Sequence, residues 1–261
     1  MSTLETRGLH KNFGSLQVTQ DVSLRFESGR RYAVIGPNGA GKTTLFNLLT
    51  GELRPTEGRV WLDALDLTAL APDARARAGI GRSFQRSNLF ADLSVRDSLA
   101  IAVAVRRRVA HVFWRRFGSY RVLAERAEEL AAQIGLADEL ALPVRHLSYG
   151  SQRQLEVGLA LACEPKVLLL DEPTSGMNPE ETAAMQALIA GLPRELTVVV
   201  IEHDMDVVFG FAETVVVLDY GRVLAEGSPE AIRASGAVRE RYLGHLDPLL
   251  DGALPEGEIG R

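Results

Sequence analysis

The chain is 261 residues long, 46% of them hydrophobic and 24% charged, a balance that excludes a disordered chain and a fibrous repeat. Its 29 Lys and Arg against 34 Asp and Glu leave a net charge of −5, which argues against a general nucleic-acid binder. The single cysteine, Cys163, rules out an internal disulfide and a Cys-cluster zinc site and points to a reducing cytosol.

Leu4 to Leu9 and Val22 to Phe26 alternate apolar and polar residues, the period of a half-buried strand. Tyr32 to Ile35 is a compact apolar run, followed by Gly36-Pro37-Asn38-Gly39-Ala40-Gly41-Lys42-Thr43 and a helical pattern over Thr43 to Leu49 that Gly51 ends. That octet fits G-x-x-x-x-G-K-[ST] in the strand–turn–helix context that a phosphate-binding loop requires. Glycines let successive backbone N–H groups face an anion, and the helix start adds a positive dipole end. Lys42 is placed to reach the β- and γ-phosphates, the Thr43 hydroxyl to ligate Mg²⁺, and Thr44 is counted with the loop as nucleotide-binding.

Arg59 to Leu62 reads as a further strand after a turn at Pro55 to Gly58. From about Val95 the pattern turns helical, over Val95 to Val105 and Tyr120 to Ile134, with breaks at Gly118 and Gly135. Leu99 to Val105 is the nearest approach to a membrane segment, but it is far shorter than the ~18 residues that span a bilayer and reads as one side of a packed helix. The N-terminus has no apolar core behind a basic start, so no secretory leader is expected. Strand signals return at Val167 to Leu170, Thr197 to Ile201 and Thr214 to Leu218, with helices expected over Glu180 to Ala190 and Met205 to Phe211. Buried runs separated by helices imply a parallel sheet covered on both faces.

The strand Val167 to Leu170 ends in Asp171-Glu172, at the sheet edge where α/β folds bind ligands. Beside a phosphate loop, Asp171 can hold Mg²⁺ through water and Glu172 can orient and deprotonate an attacking water; standing alone, the pair would read equally well as solvated acids at a strand end. Leu147-Ser148-Tyr149-Gly150-Ser151-Gln152 precedes a helix expected over Arg153 to Leu161. Ser and Gly there offer a hydroxyl and free N–H groups to a second phosphate, which suggests a site completed by another copy of the chain; an ordinary helix cap is the plainer reading of that segment by itself.

From about Leu4 to Leu243, the succession of phosphate loop, Gln85 in Ser83-Phe84-Gln85, helical insert, Leu147-Ser148-Tyr149-Gly150, Asp171-Glu172 and His203 resembles the ATP-binding subunit of ABC transporters. The resemblance implies an α/β fold: a RecA-like phosphate-loop ATPase core with an antiparallel β subdomain and an inserted α-helical subdomain. One ATP-binding domain would cover residues 1–245, its helical insert about 89–160, with a tail over 246–261. It implies that Phe13 stacks on adenine, that Gln85 contacts Mg²⁺ and couples to a membrane partner, and that His203 contacts the γ-phosphate. Ser148 and Gly150 would bind the γ-phosphate held by the opposite protomer, and Gly176-Met177-Asn178-Pro179 would cross the dimer interface. The implied partners are a second ATP-binding subunit, identical or paralogous, two membrane permease subunits and, indirectly, a solute-binding protein, with no nucleic acid. The implied place is the cytoplasmic face of the membrane, reached through the permeases.

Two departures stand out against the commonest family pattern. Tyr149 and Ser151 replace the first Gly and the Gln of Leu-Ser-Gly-Gly-Gln, and Met177-Asn178 replaces Leu-Asp in the interface loop. A basic and aromatic stretch, Arg106-Arg107-Arg108, Arg115-Arg116 and Arg121 with Phe113, Trp114, Phe117 and Tyr120, suits a position near lipid headgroups. Gly79 to Gln85, Phe90 to Val95, Glu172 to Pro179, Glu202-His203-Asp204-Met205 and Arg241-Tyr242-Leu243-Gly244 resemble the branched-chain amino acid uptake branch. Urea or amide importers and the lipopolysaccharide-export ATPase are the alternatives within the class. A soluble ABC ATPase acting on DNA or ribosomes is the alternative outside it, disfavoured by the short insert and the acidic charge. A small-molecule kinase would leave the Leu147 to Gly150 motif without a role.

Overall fold

Strand β1 (Leu4–Phe13) turns back through Gly14 and Ser15 into β2 (Leu16–Phe26), and the pair runs antiparallel from Leu4 opposite Phe26 to Phe13 opposite Leu16. Gly14 takes a positive φ of 61°, the conformation that a two-residue hairpin loop needs. β4 (Glu57–Leu62) joins the other edge of β1, and the two-residue β5 (Leu65–Asp66) closes a four-stranded antiparallel sheet in the order β2-β1-β4-β5. The computed structural model describes residues 2–83, 89–107 and 121–241.

A second, six-stranded sheet has the order β10-β9-β3-β8-β7-β6, formed by β3 (Arg31–Ile35), β6 (Ile80–Arg82), β7 (Val167–Asp171), β8 (Thr197–Ile201), β9 (Thr214–Asp219) and β10 (Arg222–Gly227). Five of these are parallel neighbours, and β10 alone pairs antiparallel, on β9. β3, β7 and β8 are buried at every position, which is why residues 32–35, 167–170 and 198–201 are continuous apolar runs rather than alternating ones.

The period of two within those runs sorts side chains between two cores. Leu168, Leu170, Val198 and Val200 face a helical layer of α3 (Val95–Arg106), α4 (Arg121–Gln133), α5 (Tyr149–Ala162) and α6 (Pro179–Gly191). Val167, Leu169, Val199 and Ile201 face α1 (Lys42–Thr50) and the antiparallel sheet. A smaller core holds α7 (Met205–Phe211), α8 (Pro229–Ala234) and α9 (Gly236–Arg241) against Ala33, Ile35, Val215 and Val217.

The strands expected at 32–35, 167–170, 197–201 and 214–218 are present with ends shifted by one residue at most. Helix α5 differs: it begins at Tyr149, four residues before the expected Arg153, because the Ser148 side chain accepts the Ser151 N–H and so caps the helix there. Leu147 to Gln152 is therefore the cap and first turn of α5, not a loop ahead of it.

Helix α2 (Pro72–Ala78) has no apolar stripe and was not legible as an element. It carries Arg75, which is fully buried and donates to the carbonyls of Leu48, Leu49, Thr68 and Leu70. Burial lowers the Arg75 pKa to about 10, still well above neutrality, so a cation sits at the C-terminal end of α1, where the helix dipole favours it. Gln85, the tail 246–261 and most of the basic and aromatic stretch (Arg108, Phe113 to Phe117 and Tyr120) lie outside the described residues.

Candidate functional site

The loop after β3 wraps tightly against its neighbours at Gly36 and Gly41, where backbone carbonyls leave no room for a side chain. Gly41, at φ 98°, caps α1, and a Cβ there would meet the Val18 carbonyl oxygen of β2 at 2.8 Å. Ala40 N–H donates to Pro37 O at 3.1 Å, and Gly221 N–H donates to Ala40 O at 3.0 Å, pinning the loop to the turn between β9 and β10. Asn38 and Gly39 are exposed at the tip, Gly36 is buried and Pro37 half-buried. Lys42 is buried and donates to Gly36 O at 2.7 Å and Pro37 O at 3.0 Å. Burial pulls the Lys42 ammonium below its usual range, while Glu172 and Asp171 draw it back up. Thr43 is exposed in the first turn of α1, with Thr44 half-buried behind it.

Asp171, the last residue of β7, is 2% exposed. Its Oδ2 accepts a hydrogen bond from Arg82 Nη2 at 3.0 Å, whereas Oδ1 is buried without a partner. Burial raises the Asp171 pKa against the opposing pull of Arg82 and Lys42. An orphaned carboxylate oxygen beside a lysine and a hydroxyl-bearing helix turn fits a hard divalent cation such as Mg²⁺, which takes one or two carboxylates and fills its remaining positions with phosphate and water oxygens. Among the described residues, no group of three or more His, Cys, Asp or Glu is placed to hold a metal ion.

Glu172 leaves the strand at φ 47°, a left-handed conformation that costs a residue with a Cβ about 1–3 kcal/mol and that tends to mark functional positions. Its N–H is held by Ile201 O at 2.9 Å. His203 follows the adjacent strand β8, with its side chain 61% exposed, so it is not a histidine satisfied within the core. Between them stands Glu202, fully buried. Glu202 Oε1 accepts from Thr174 Oγ1 at 2.6 Å and from Thr174 N at 3.2 Å, and Oε2 accepts from His203 N at 3.1 Å. This carboxylate fastens the loop after Glu172 to the backbone of His203. The signal for it was present in the sequence, an acid directly after the apolar run at 198–201, but it carried no assigned role.

Phe13 stands at the hairpin end of β1, 47% exposed, with the Lys11 ammonium 5.0 Å from its ring centroid, so it is not a core residue. At the start of α5, the Gly150 N–H donates to Glu181 Oε1 at 2.9 Å, and that hydrogen bond is the first cause holding the Glu181 carboxyl below its usual pKa. Glu181 Oε2 in turn accepts from Asn178 N, while Asn178 Oδ1 accepts from Glu181 N. The departures thus have local roles. Asn178 caps α6, Ser151 Oγ donates to Glu139 Oε1, and Tyr149 OH donates to Ser175 O, so the first turn of α5 is tied to the loop before α6.

The profile of the ABC transporter family matches residues 19–175, a span that takes in the phosphate loop, the start of α5 and the acidic pair. The chain belongs to the ABC transporter family. This ABC cassette is 38% identical over 250 residues to the high-affinity branched-chain amino acid transport ATP-binding protein BraF of Pseudomonas aeruginosa, covering 92% of this chain and 97% of the relative. It is 37% identical over 248 residues to LivG of Escherichia coli, a protein of the same description, with the same coverage. Identity to the lipopolysaccharide export system ATP-binding protein LptB of Acidithiobacillus ferridurans is lower, 34% over 242 residues, covering 92% of this chain and 96% of that one. Among solved structures, the ADP conformation of an ATP-binding cassette of an ABC transporter superposes with a TM-score of 0.82 at 27% identity, covering 94% of this chain and 99% of the other. The cassette is accordingly an ABC-type ATPase with the mixed α/β fold of its neighbours.

Proposed function

We propose that this cassette is the ATP-driven motor of an importer for branched-chain amino acids. The observation that carries the cargo is the 37–38% identity, over nearly the full length of both chains, to proteins described as high-affinity branched-chain amino acid transport subunits. Two copies, or one copy and a paralogue, sandwich two nucleotides; closure on ATP and release after hydrolysis drive two permease subunits. In this reading the motor sits on the cytoplasmic face through those permeases; no helix among the described residues is long and apolar enough to cross a membrane.

In this reading the loop Gly36 to Thr44 cradles the phosphates, Lys42 turns from its own loop carbonyls toward the β- and γ-phosphates, and Phe13 stacks on adenine. Thr43, Asp171 and Gln85 would hold Mg²⁺, which when bound neutralises charge on the phosphate oxygens. Glu172 takes the proton of the attacking water, and His203, steadied through Glu202, contacts the γ-phosphate. Deleting the gene and following uptake of labelled leucine, urea and short amides tests the cargo. Loss of leucine uptake is expected. Normal leucine uptake with lost urea uptake would move the chain to the urea branch, and an envelope defect with neither loss would favour the export ATPase.

Ser148 and Gly150 are assigned to the γ-phosphate of the nucleotide held by the opposite protomer, and this puts a demand on Glu181. Its carboxylate takes the one Gly150 N–H, and two anions cannot share that donor. Glu181 must therefore withdraw as the dimer closes. Glu181→Gln keeps the shape and removes the charge, so ATP-dependent association should tighten by about two- to fivefold, the size of a charge effect at an exposed helix end. Light scattering in a hydrolysis-deficient background measures it; unchanged or weaker association would show that Glu181 does not compete.

A further inference from the structure

Arg82 closes β6 on the outer edge of the parallel sheet, and its guanidinium is engaged on both prongs. Nη2 donates to Asp171 Oδ2 at 3.0 Å, and Nη1 donates to Asn47 Oδ1 at 2.7 Å and lies 3.2 Å from Glu52 Oε1. The side chain is 10% exposed and that of Asp171 1%, so the pair is shielded from solvent. One planar group therefore ties the end of β7 to α1, the helix that begins with Lys42 and Thr43. Asp171 is left with two unequal oxygens: Oδ2 is held, and Oδ1 is buried with nothing to accept from.

We propose that Arg82 is the positioning residue of the metal site, holding Asp171 by one oxygen so that the other points at Mg²⁺. The proposal rests on the reading of Asp171 as a metal ligand, and adds a residue that the sequence motifs leave without a role. Two effects oppose each other when Arg82 is removed. Losing a cation near Mg²⁺ would strengthen metal binding by relieving repulsion, while losing the guanidinium fork would weaken it by freeing the Asp171 carboxylate to rotate. Glu52, 3.2 Å from Nη1, already offsets much of the Arg82 charge, so the orientational loss decides the sign. Partners that orient metal ligands typically account for about 10- to 100-fold in metal affinity. Lysine is not a substitute, because a single ammonium cannot present two parallel donors to Asp171 and Asn47 at once.

The test uses the full chain with bound ADP and follows Mn²⁺ by electron paramagnetic resonance. Arg82→Met should bind Mn²⁺ about 10- to 100-fold more weakly than the parent, with Arg82→Lys falling between them. Affinity for metal-free ADP should stay near the parent value. In turnover, the Mg²⁺ concentration for half-maximal rate should rise while kcat at saturating Mg²⁺ changes much less, a split that a general loss of folding would not produce. Where Arg82→Met does not fold, Arg82→Lys carries the comparison. Asp171→Asn separates the two layers of the argument. If Asp171→Asn binds Mn²⁺ as the parent does, the metal role of Asp171 is what fails. If Asp171→Asn loses Mn²⁺ while both Arg82 variants stay within about twofold of the parent, the positioning role of Arg82 is overturned.

Discussion

Replacing Glu172 with glutamine should leave ATP binding close to the parent value and lower hydrolysis by about 10²- to 10⁴-fold, the range for loss of a positioned general base. The expectation comes from where the residue stands. Asp171 has one oxygen held by Arg82 and the other assigned to Mg²⁺, whereas Glu172 is only half-buried and turns out of the strand at φ 47°, free to meet a water. Glutamine keeps that backbone and the side-chain length, but it cannot accept the proton. If hydrolysis releases the closed dimer, the ATP-bound dimer should accumulate in this variant, which light scattering at saturating ATP detects. A second substitution separates strain from chemistry. Glu172→Gly removes the base too, but relieves the left-handed backbone, so it should lose activity while folding stability holds or rises by about 1 kcal/mol. Parental turnover in Glu172→Gln would assign the base elsewhere.

The phosphate loop, the acidic pair and the central strands were legible because each is written locally. The loop is a continuous octet, and β3, β7 and β8 each hold an unbroken run of four apolar residues, with their one polar residue (Arg31, Asp171 and Thr197) confined to a strand end. Helix α2, strand β5 and the terminal α8 and α9 were not legible, because at two to seven residues they are too short to show a period. Arg75 shows the reason: in sequence it is one arginine among several, and only the fold brings the carbonyls of Leu48 and Leu49 to it. The same holds for the residues that support the site. Glu202 meets Thr174 across 28 positions of sequence, Arg82 meets Asp171 across 89, and Glu181 meets Gly150 across 31. Motifs name the groups expected to touch nucleotide; the groups that orient them are set by strand order, which no local pattern encodes.

Removing the Lys42 side chain should abolish productive ATP turnover, with a loss of about 10²- to 10³-fold, because a preorganised charge at the phosphates is among the largest electrostatic contributions a site can make. The structure gives this lysine two tasks, and they predict different things. Its ammonium donates to Gly36 O and Pro37 O; Pro37 O keeps the Ala40 N–H, so the loss of Lys42 takes the side-chain donor from the buried Gly36 carbonyl and loosens the cradle there. It also supplies positive charge beside two carboxylates, and without it the site would present Asp171 and Glu172 to an incoming polyphosphate with less to offset them. Lys42→Met keeps most of the buried stem and removes the charge, whereas Lys42→Ala removes both. If charge dominates, both variants should lose affinity for a fluorescent ATP analogue to a similar extent, and ATP should no longer raise the thermal midpoint of either. If loop support dominates, both variants should already lose about 1–3 kcal/mol of stability without nucleotide, the cost of leaving a buried acceptor unsatisfied, whereas a purely electrostatic role at the phosphates leaves the nucleotide-free stability of Lys42→Met near the parent. Parental affinity and turnover in both variants would remove Lys42 from the phosphate site.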